Sequence, residues 1–511
     1  MDSQLKKHLE ETIGSSYVSS SEKDLAYYGT DLSLHEVAAH ELVVQPGSTE
    51  EVAAIVKAAN AHSIPIFPRG GGLSYTLGYA DPHRGGILLD TSRLNAIIDI
   101  DTNAMSITAQ SGCTWRQIHE ALDGTGLRMA FWGPLSGEGS TLGGCIANNV
   151  VWYGSAKYGT AGDTLLGLQV VTPNGEIIKT GSGAHVEGST HFRYFGPDLT
   201  GMFVGDCGAF GIKTEATFEL IPEPAPHHSM SFDFPSLDLL LSAASRISKT
   251  RLASEVFYLS SERLSALVKA GYRFLEGATE VLHISVEGAT PEVTEANAVA
   301  VRDIANAGQG ISLKGDLAGK WRDEPYLAFV GGIASSMVSV KGEVWAPVHG
   351  ILPFSKVKEV VDAVGALAKR YKQPFEQNAV HTYNLMCAVK GQMLVETNIV
   401  WPDQLDPIRR SYVLDPRNVK MLGKVPTVMA AKALLKGMTR RKSQFDTARQ
   451  VARSFRREVT NIYQQYGAVN LQIGRYYDFK GHTSPEYFSH VKEIKHALDP
   501  NGIMNPGVLG T

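Results

Sequence analysis

Residues 67–74 read Phe-Pro-Arg-Gly-Gly-Gly-Leu-Ser and follow the apolar extended run Ile64-Pro65-Ile66. Three successive glycines after a strand let the backbone turn tightly and aim several N–H groups at one anion. Two more glycine-rich loops follow: Ser140-Thr141-Leu142-Gly143-Gly144, and Gly205-Asp206-Cys207-Gly208-Ala209-Phe210-Gly211-Ile212. One such loop is a weak signal, because a glycine triplet alone reads as a tight turn. Three in this order predict a large dinucleotide lying across a domain.

The chain has 511 residues, 43% of them hydrophobic, which is too long for one ordinary domain and ample for a deep core. A net charge of −4 gives no global attraction to nucleic acid or to an anionic membrane. The polar, amphipathic start has no apolar segment of the secretory type, and no apolar run is long enough to span a bilayer. Cys113, Cys145, Cys207 and Cys387 are scattered, with no Cys-x-x-Cys pair. Buried free thiols and a reducing, cytoplasmic setting are expected, with no metal site.

Hydrophobic periodicity predicts helix over residues 1–30, a strand at Leu42-Val43-Val44, a helix from Ser48 to Ala61, and a strand at 64–66. Short strands follow at 86–90, 96–100 and 105–109, then a helix at 115–123. Residues 168–172 and 176–180 flank Pro173-Asn174-Gly175, a hairpin signal. The proline run 221–226 marks a domain boundary. Beyond it, helices at 236–248 and 354–371 and strands at 255–259 and 280–287 predict an α+β domain with an antiparallel sheet. Residues 417–450 read as a basic helix carrying Arg440-Arg441-Lys442, a solvated cationic face.

Taken in order, Pro-Arg-Gly-Gly-Gly (68–72), Ser-Thr-Leu-Gly-Gly (140–144), Tyr-Gly-Thr-Ala-Gly-Asp (158–163), Thr-Pro-Asn-Gly-Glu (172–176), Gly-Pro-Asp-Leu-Thr-Gly-Met-Phe (196–203), Gly-Ile-Lys-Thr-Glu-Ala-Thr (211–217) and Asp-Pro-Asn-Gly-Ile-Met-Asn-Pro-Gly (499–507) resemble a known family. It is the vanillyl-alcohol oxidase/p-cresol methylhydroxylase (PCMH-type) superfamily of FAD enzymes, with FAD-domain motifs like those of its glycolate oxidase/D-lactate dehydrogenase branch. The resemblance implies an α+β fold: an FAD-binding domain of two α+β subdomains over 1–225, a substrate (cap) domain over 226–480, and a segment, 481–511, returning to the first domain. The glycines are not the G-x-G-x-x-G fingerprint of a dinucleotide-binding Rossmann fold.

By resemblance, Pro68, Arg69, Gly70, Gly71, Gly72, Leu73 and Ser74 would hold the FAD pyrophosphate through the backbone. Ser140, Thr141, Gly143, Gly144 and Asn148 would run beside the pyrophosphate and isoalloxazine, and Gly211 and Ile212 would contact the adenine–ribose end. Relatives that attach FAD covalently through the first loop place a histidine where this chain has Leu73, so noncovalent FAD is expected. His381 and Tyr383 are the candidates for attachment from the cap. For catalysis, Arg475 would serve the flavin or the substrate oxygen, Tyr476 and Tyr477 would hydrogen-bond substrate, and His349 or His381 would be the base.

The implied activity is hydride transfer from an aromatic alcohol or alkylphenol-like substrate to flavin N5, with dioxygen, a quinone or a cytochrome as acceptor. The His-Ala-Gly-Asp-Gly-Asn-like stretch of glycolate- and lactate-type relatives is not found, and Gln472-Ile473-Gly474-Arg475-Tyr476 stands in its neighbourhood. A D-2-hydroxy-acid dehydrogenase and a non-redox enzyme of the alkylglycerone-phosphate synthase type are the alternatives. A homo-oligomer, most commonly a dimer, is expected.

Overall fold

The structure is a computed structural model that describes residues 3–33, 38–224, 226–269, 271–315, 317–323, 325–326, 343–403 and 442–511. Three sheets organise it. The first contains β1 (Val18–Ser19), β2 (Leu42–Val44), β3 (Ile66–Arg69) and β4 (Ile87–Asp90) in the order β1-β2-β4-β3. Strands β2, β4 and β3 are parallel and almost fully buried, as continuous apolar strands must be when both faces are covered. The helix Thr49–Ala61 makes the crossover from β2 to β3. Ser48 caps it by accepting the N–H of Glu51, and Val52, Ile55, Val56 and Ala59 bury its inner stripe. The glycine triplet therefore leaves the carboxyl end of a parallel strand, where ligands of such sheets bind.

The second sheet contains β5 (Ile97–Asp101), β6 (Ser106–Gln110), β7 (Leu127–Met129), β8 (Leu165–Val171), β9 (Ile177–Lys179) and β10 (Ile212–Pro222). Its order is β5-β6-β10-β8-β9, with β7 also on β10. The β8–β9 hairpin turns at Asn174-Gly175, with Gly175 at φ +80°. Strand β10 runs out at Pro222, the start of the proline-rich boundary.

The third sheet is antiparallel: β11 (His228–Phe234), β12 (Ala253–Leu259), β13 (Glu280–Val286), β14 (Ile311–Ser312), β15 (Glu343–Leu352), β16 (His381–Val389) and β17 (Gln392–Pro402). The order is β14-β11-β13-β12-β16-β17-β15. Alternate residues serve two cores. Val256, Tyr258, Met386, Met393 and Val395 pack under helices Leu237–Thr250, Phe354–Arg370 and Lys442–Gln465. Phe257, Leu259, Leu385, Cys387 and Leu394 join the core of the second sheet. The third sheet is thus a wall shared by two cores.

One expectation changes. Residues 1–30 are not one helix: Ser3–Ile13 and Glu22–Tyr28 are helical, and β1 lies between them, because Ser21 caps a new helix at Asp24. Contacts between the last part of the chain and the glycine loops are made from Gln472 onward. Gln472 N–H donates to Asn148 O (3.2 Å) and Arg475 N–H to Thr76 O (2.9 Å). The chain then runs alongside β3, where Ile66 N–H donates to Ile503 O and Asn505 N–H to Ile66 O, both at 2.8 Å. Residues 417–441, with Arg440 and Arg441, lie outside the described residues, and only 442 onward is seen as helix. Among the described residues, no helix is long and apolar enough to cross a membrane.

A buried charge cluster joins the second sheet to the third. Glu287 accepts from Arg128 Nη2 (2.6 Å), Arg322 Nη2 (2.8 Å) and Tyr158 OH (2.7 Å). Burial alone raises its pKa, but the two guanidiniums win and hold it at about 2. Removing one partner from such a cluster strands the others, at about 3–5 kcal/mol. Glu287→Gln is expected to lose about that much in denaturant unfolding. A depressed carboxyl stabilises above its unfolded value of 4.5 and loses that stability as pH falls toward about 2, so the variant should also lack this part of the acid limb. Unchanged stability and an unchanged acid limb would contradict the assignment.

Candidate functional site

The triplet is packed too closely for any side chain. A Cβ on Gly70 would run into the Thr141 hydroxyl, and one on Gly71 into the carbonyl oxygen of Gly139. Gly72 sits at φ +75° against the Arg69 guanidinium. The first and second glycine loops therefore touch backbone to backbone. The Arg69 side chain turns inward, with Nη1 2.5 Å from Asp90 Oδ2 and its guanidinium over the rings of Tyr28 and Tyr79. What the cradle presents is main chain.

One cavity is lined by Pro68, Arg69, Gly70, Gly71, Gly72, Leu73 and Ser74, by Ser140, Thr141, Gly143, Gly144 and Asn148, and by Gly211 and Ile212. Cys207 of the third glycine-rich loop lines it, as do Ser111, Ser136 and Lys213, which were not offered as site residues from sequence. Arg69 Nε, Ser111 Oγ and Thr141 Oγ1 border it as buried polar atoms with no partner in the protein. Native interiors rarely leave such groups unpaired, so the site fits a ligand rich in acceptor oxygens, such as a diphosphate. Cys145 and Cys207 are buried free thiols in its wall, pushed by burial up to about 12 and about 11.

The same cavity extends to Tyr75, Trp345, His349, Leu385, Leu394 and Glu396. Trp152 also lines it, whereas Trp132 and Tyr153 pack on one another. Glu396 lies on β17, directly opposite His349 of β15 and Leu385 of β16. It is half-buried, and burial pushes its carboxyl up to about 7, with only the Asn398 amide pulling it back. Sequence reasoning missed it. The signal was one carboxylate between the apolar stretches Met393–Val395 and Ile399–Trp401.

His349 lines the cavity but is not an open base. Its Nε2 is 2.8 Å from Leu471 O; a carbonyl only accepts, so Nε2 carries the hydrogen. Tyr477 OH accepts the His349 N–H at 3.1 Å and lies 3.5 Å from Nδ1. Burial lowers the ring to about 4, so it is neutral at physiological pH. Tyr477 is thus a brace behind His349. Tyr476 bonds Thr460 (3.0 Å) and lies 3.7 Å beneath the Arg456 guanidinium.

Arg475 does not line the cavity. Its Nη1 donates to Leu77 O (2.7 Å), its Nη2 to Asn505 Oδ1 (2.8 Å) and Pro506 O (2.7 Å), and its Nε is 3.3 Å from Asp81. It clamps the loop after the glycines to the returning chain. His381 is exposed, at the end of β16 that pairs with Val400. Tyr383 lies two residues on, beneath Arg263, and packs against the Leu32–Tyr75–Trp345 cluster. Neither lines the cavity. Among the described residues, no three His, Cys, Asp or Glu side chains come together as a metal site.

Residues 40–181 match the FAD binding domain family, and residues 478–509 match the C-terminal domain of FAD linked oxidases. The chain is 32% identical over 222 residues to a glycolate oxidase subunit from Bacillus subtilis, covering 43% of this chain and 45% of that one. It is 31% identical over 231 residues to a mitochondrial D-lactate dehydrogenase [cytochrome] from Arabidopsis thaliana, covering 45% and 38%. The chain matches less than half the length of these curated relatives. In fold it is similar to p-cresol methylhydroxylase with substrate bound, at TM-score 0.75 and 19% identity, covering 99% of this chain and 96% of that one.

Two variants test the site. Gly71→Ala forces backbone apart at about 1–3 kcal/mol, so FAD affinity should fall about 5- to 150-fold in a fluorescence titration. Wild-type affinity would contradict the cradle. Arg475→Ala should cost about 2–4 kcal/mol in unfolding, since several buried acceptors lose one charged donor; an unchanged unfolding midpoint would contradict the clamp.

Proposed function

We infer that this chain, a PCMH-type FAD-binding protein of the vanillyl-alcohol oxidase superfamily, is an FAD-linked oxidoreductase acting on an uncharged, hydroxylated aromatic or benzylic substrate. Bound FAD supplies the hydride acceptor. The backbone of residues 69–74 and the hydroxyls of Ser111 and Thr141 would hold its diphosphate. Trp345, Tyr75, Leu385 and Leu394 then offer apolar and aromatic walls that orient a ring and keep water out.

The observation that carries the substrate class is the charge of the chamber. Of the described residues lining the cavity, the basic ones are Arg69 and Lys213, and each is held 2.5 Å from a carboxylate, Asp90 and Asp206. The single acid there is Glu396. A carboxylate substrate would meet no free cation and would face a carboxyl group already disfavoured in its charged form.

A second reading, a D-2-hydroxy-acid dehydrogenase, is favoured by the likeness to the glycolate oxidase subunit and the D-lactate dehydrogenase. That likeness covers less than half of this chain. Anaerobic mixing of the FAD-loaded protein with 4-hydroxybenzyl alcohol, 4-ethylphenol, glycolate and D-lactate separates the two. Bleaching of the flavin band by the neutral compounds alone is expected. Bleaching by the acids alone would establish the second reading, and bleaching by none would contradict both.

A further inference from the structure

We propose that Glu396 is the group that takes the hydroxyl proton of the substrate. This rests on the reading just given and assigns a residue to it. Glu396 is on the central part of β17, flanked across the strands by His349 and Leu385, and all three line the chamber. The other nearby titratable groups are poor acceptors. His349 has Nε2–H committed to Leu471 O and Nδ1 beside Tyr477 OH. Tyr75 and Tyr477 are buried phenols pushed up from their usual range, and burial pushes Cys387 up as well. Tyr463, behind the sheet on helix Lys442–Gln465, is held by Thr397 at 2.9 Å. Arg456, from the same helix, is spent on Pro347 O (3.2 Å) and Tyr75 O (2.8 Å). No cation offsets the cost of charging Glu396. Its proton therefore comes off at about 7, where a base both exists in its ionised form and binds a proton well.

The step balances. The substrate O–H bond breaks and its proton goes to a Glu396 carboxylate oxygen. The C–H bond breaks with its electron pair, and that hydride goes to FAD, the oxidant. The substrate is left as the carbonyl compound, or as the quinone methide where it began as an alkylphenol. His349 is a positioning residue, held by Leu471 and Tyr477 directly opposite Glu396.

The experiment uses FAD-loaded wild type and Glu396→Gln. Anaerobic bleaching by 4-hydroxybenzyl alcohol is followed from about pH 5.5 to 9, and the infrared band of a protonated carboxyl group is titrated over the same range without substrate. In wild type the bleaching rate should rise through about pH 7, and the carboxyl band should disappear with the same midpoint. Glu396→Gln should bleach ~10²-fold slower or worse, with no rise near that pH and no such band. Wild type that bleaches, with a variant of equal rate and equal pH profile, overturns this proposal and spares the substrate class. Wild type that no neutral compound bleaches overturns the substrate class, and the proposal with it. If the variant fails to hold FAD, the wild-type midpoints decide: coincidence supports Glu396, and separation of about one pH unit or more overturns it.

Discussion

The structure depends on a backbone-to-backbone contact. Gly70 and Gly71 leave the carboxyl end of β3 and lie so close to Gly139 and Thr141 that no Cβ fits between them. This contact fixes the second loop relative to the parallel sheet and leaves main-chain groups facing the cavity. It is braced from behind. The residues Ile503–Asn505 bond along β3, and Arg475 and Asn505 tie the same segment to Leu77 and Gly78 just past the triplet. Nearly the whole length of the chain separates these partners, so the cradle is complete only once the last segment has docked.

The cap sheet supplies the other half of the cavity through its period of two. Alternate residues of β16 and β17 face the core of the second sheet, and the rest face helices. That alternation puts Leu394 and Glu396 on the same face and sets Glu396 against His349 and Leu385. The Glu396 carboxyl, with no cation beside it, keeps its proton to near neutrality, whereas Glu287, more deeply buried but gripped by two arginines, loses its proton far lower. The same side chain is a structural anchor in one place and a titrating group in the other, and the difference is the neighbouring charge.

Local signals in the sequence were legible wherever the physics is local. The glycines after a strand, Ser48 as a helix cap, Asn174-Gly175 as a hairpin turn and the prolines after 220 each act within a few residues. Arg475 and His349 were visible as residue types but not in their roles. Whether an arginine reaches a ligand or clamps two loops depends on partners about 400 residues away, such as Leu77. Whether a histidine is an open base depends on the Leu471 carbonyl and Tyr477. Glu396 needed the register of β15–β17, although a lone acid in an apolar strand was the clue.

The central claim is that main chain at the end of β3 grips the diphosphate of FAD. The direct test is the affinity of the flavin-free protein for FAD against riboflavin, which has the ring but no diphosphate. Charged hydrogen bonds to backbone N–H groups contribute about 1.5–3 kcal/mol each, so FAD should bind ~100-fold tighter or more. Riboflavin binding as tightly as FAD would contradict the account.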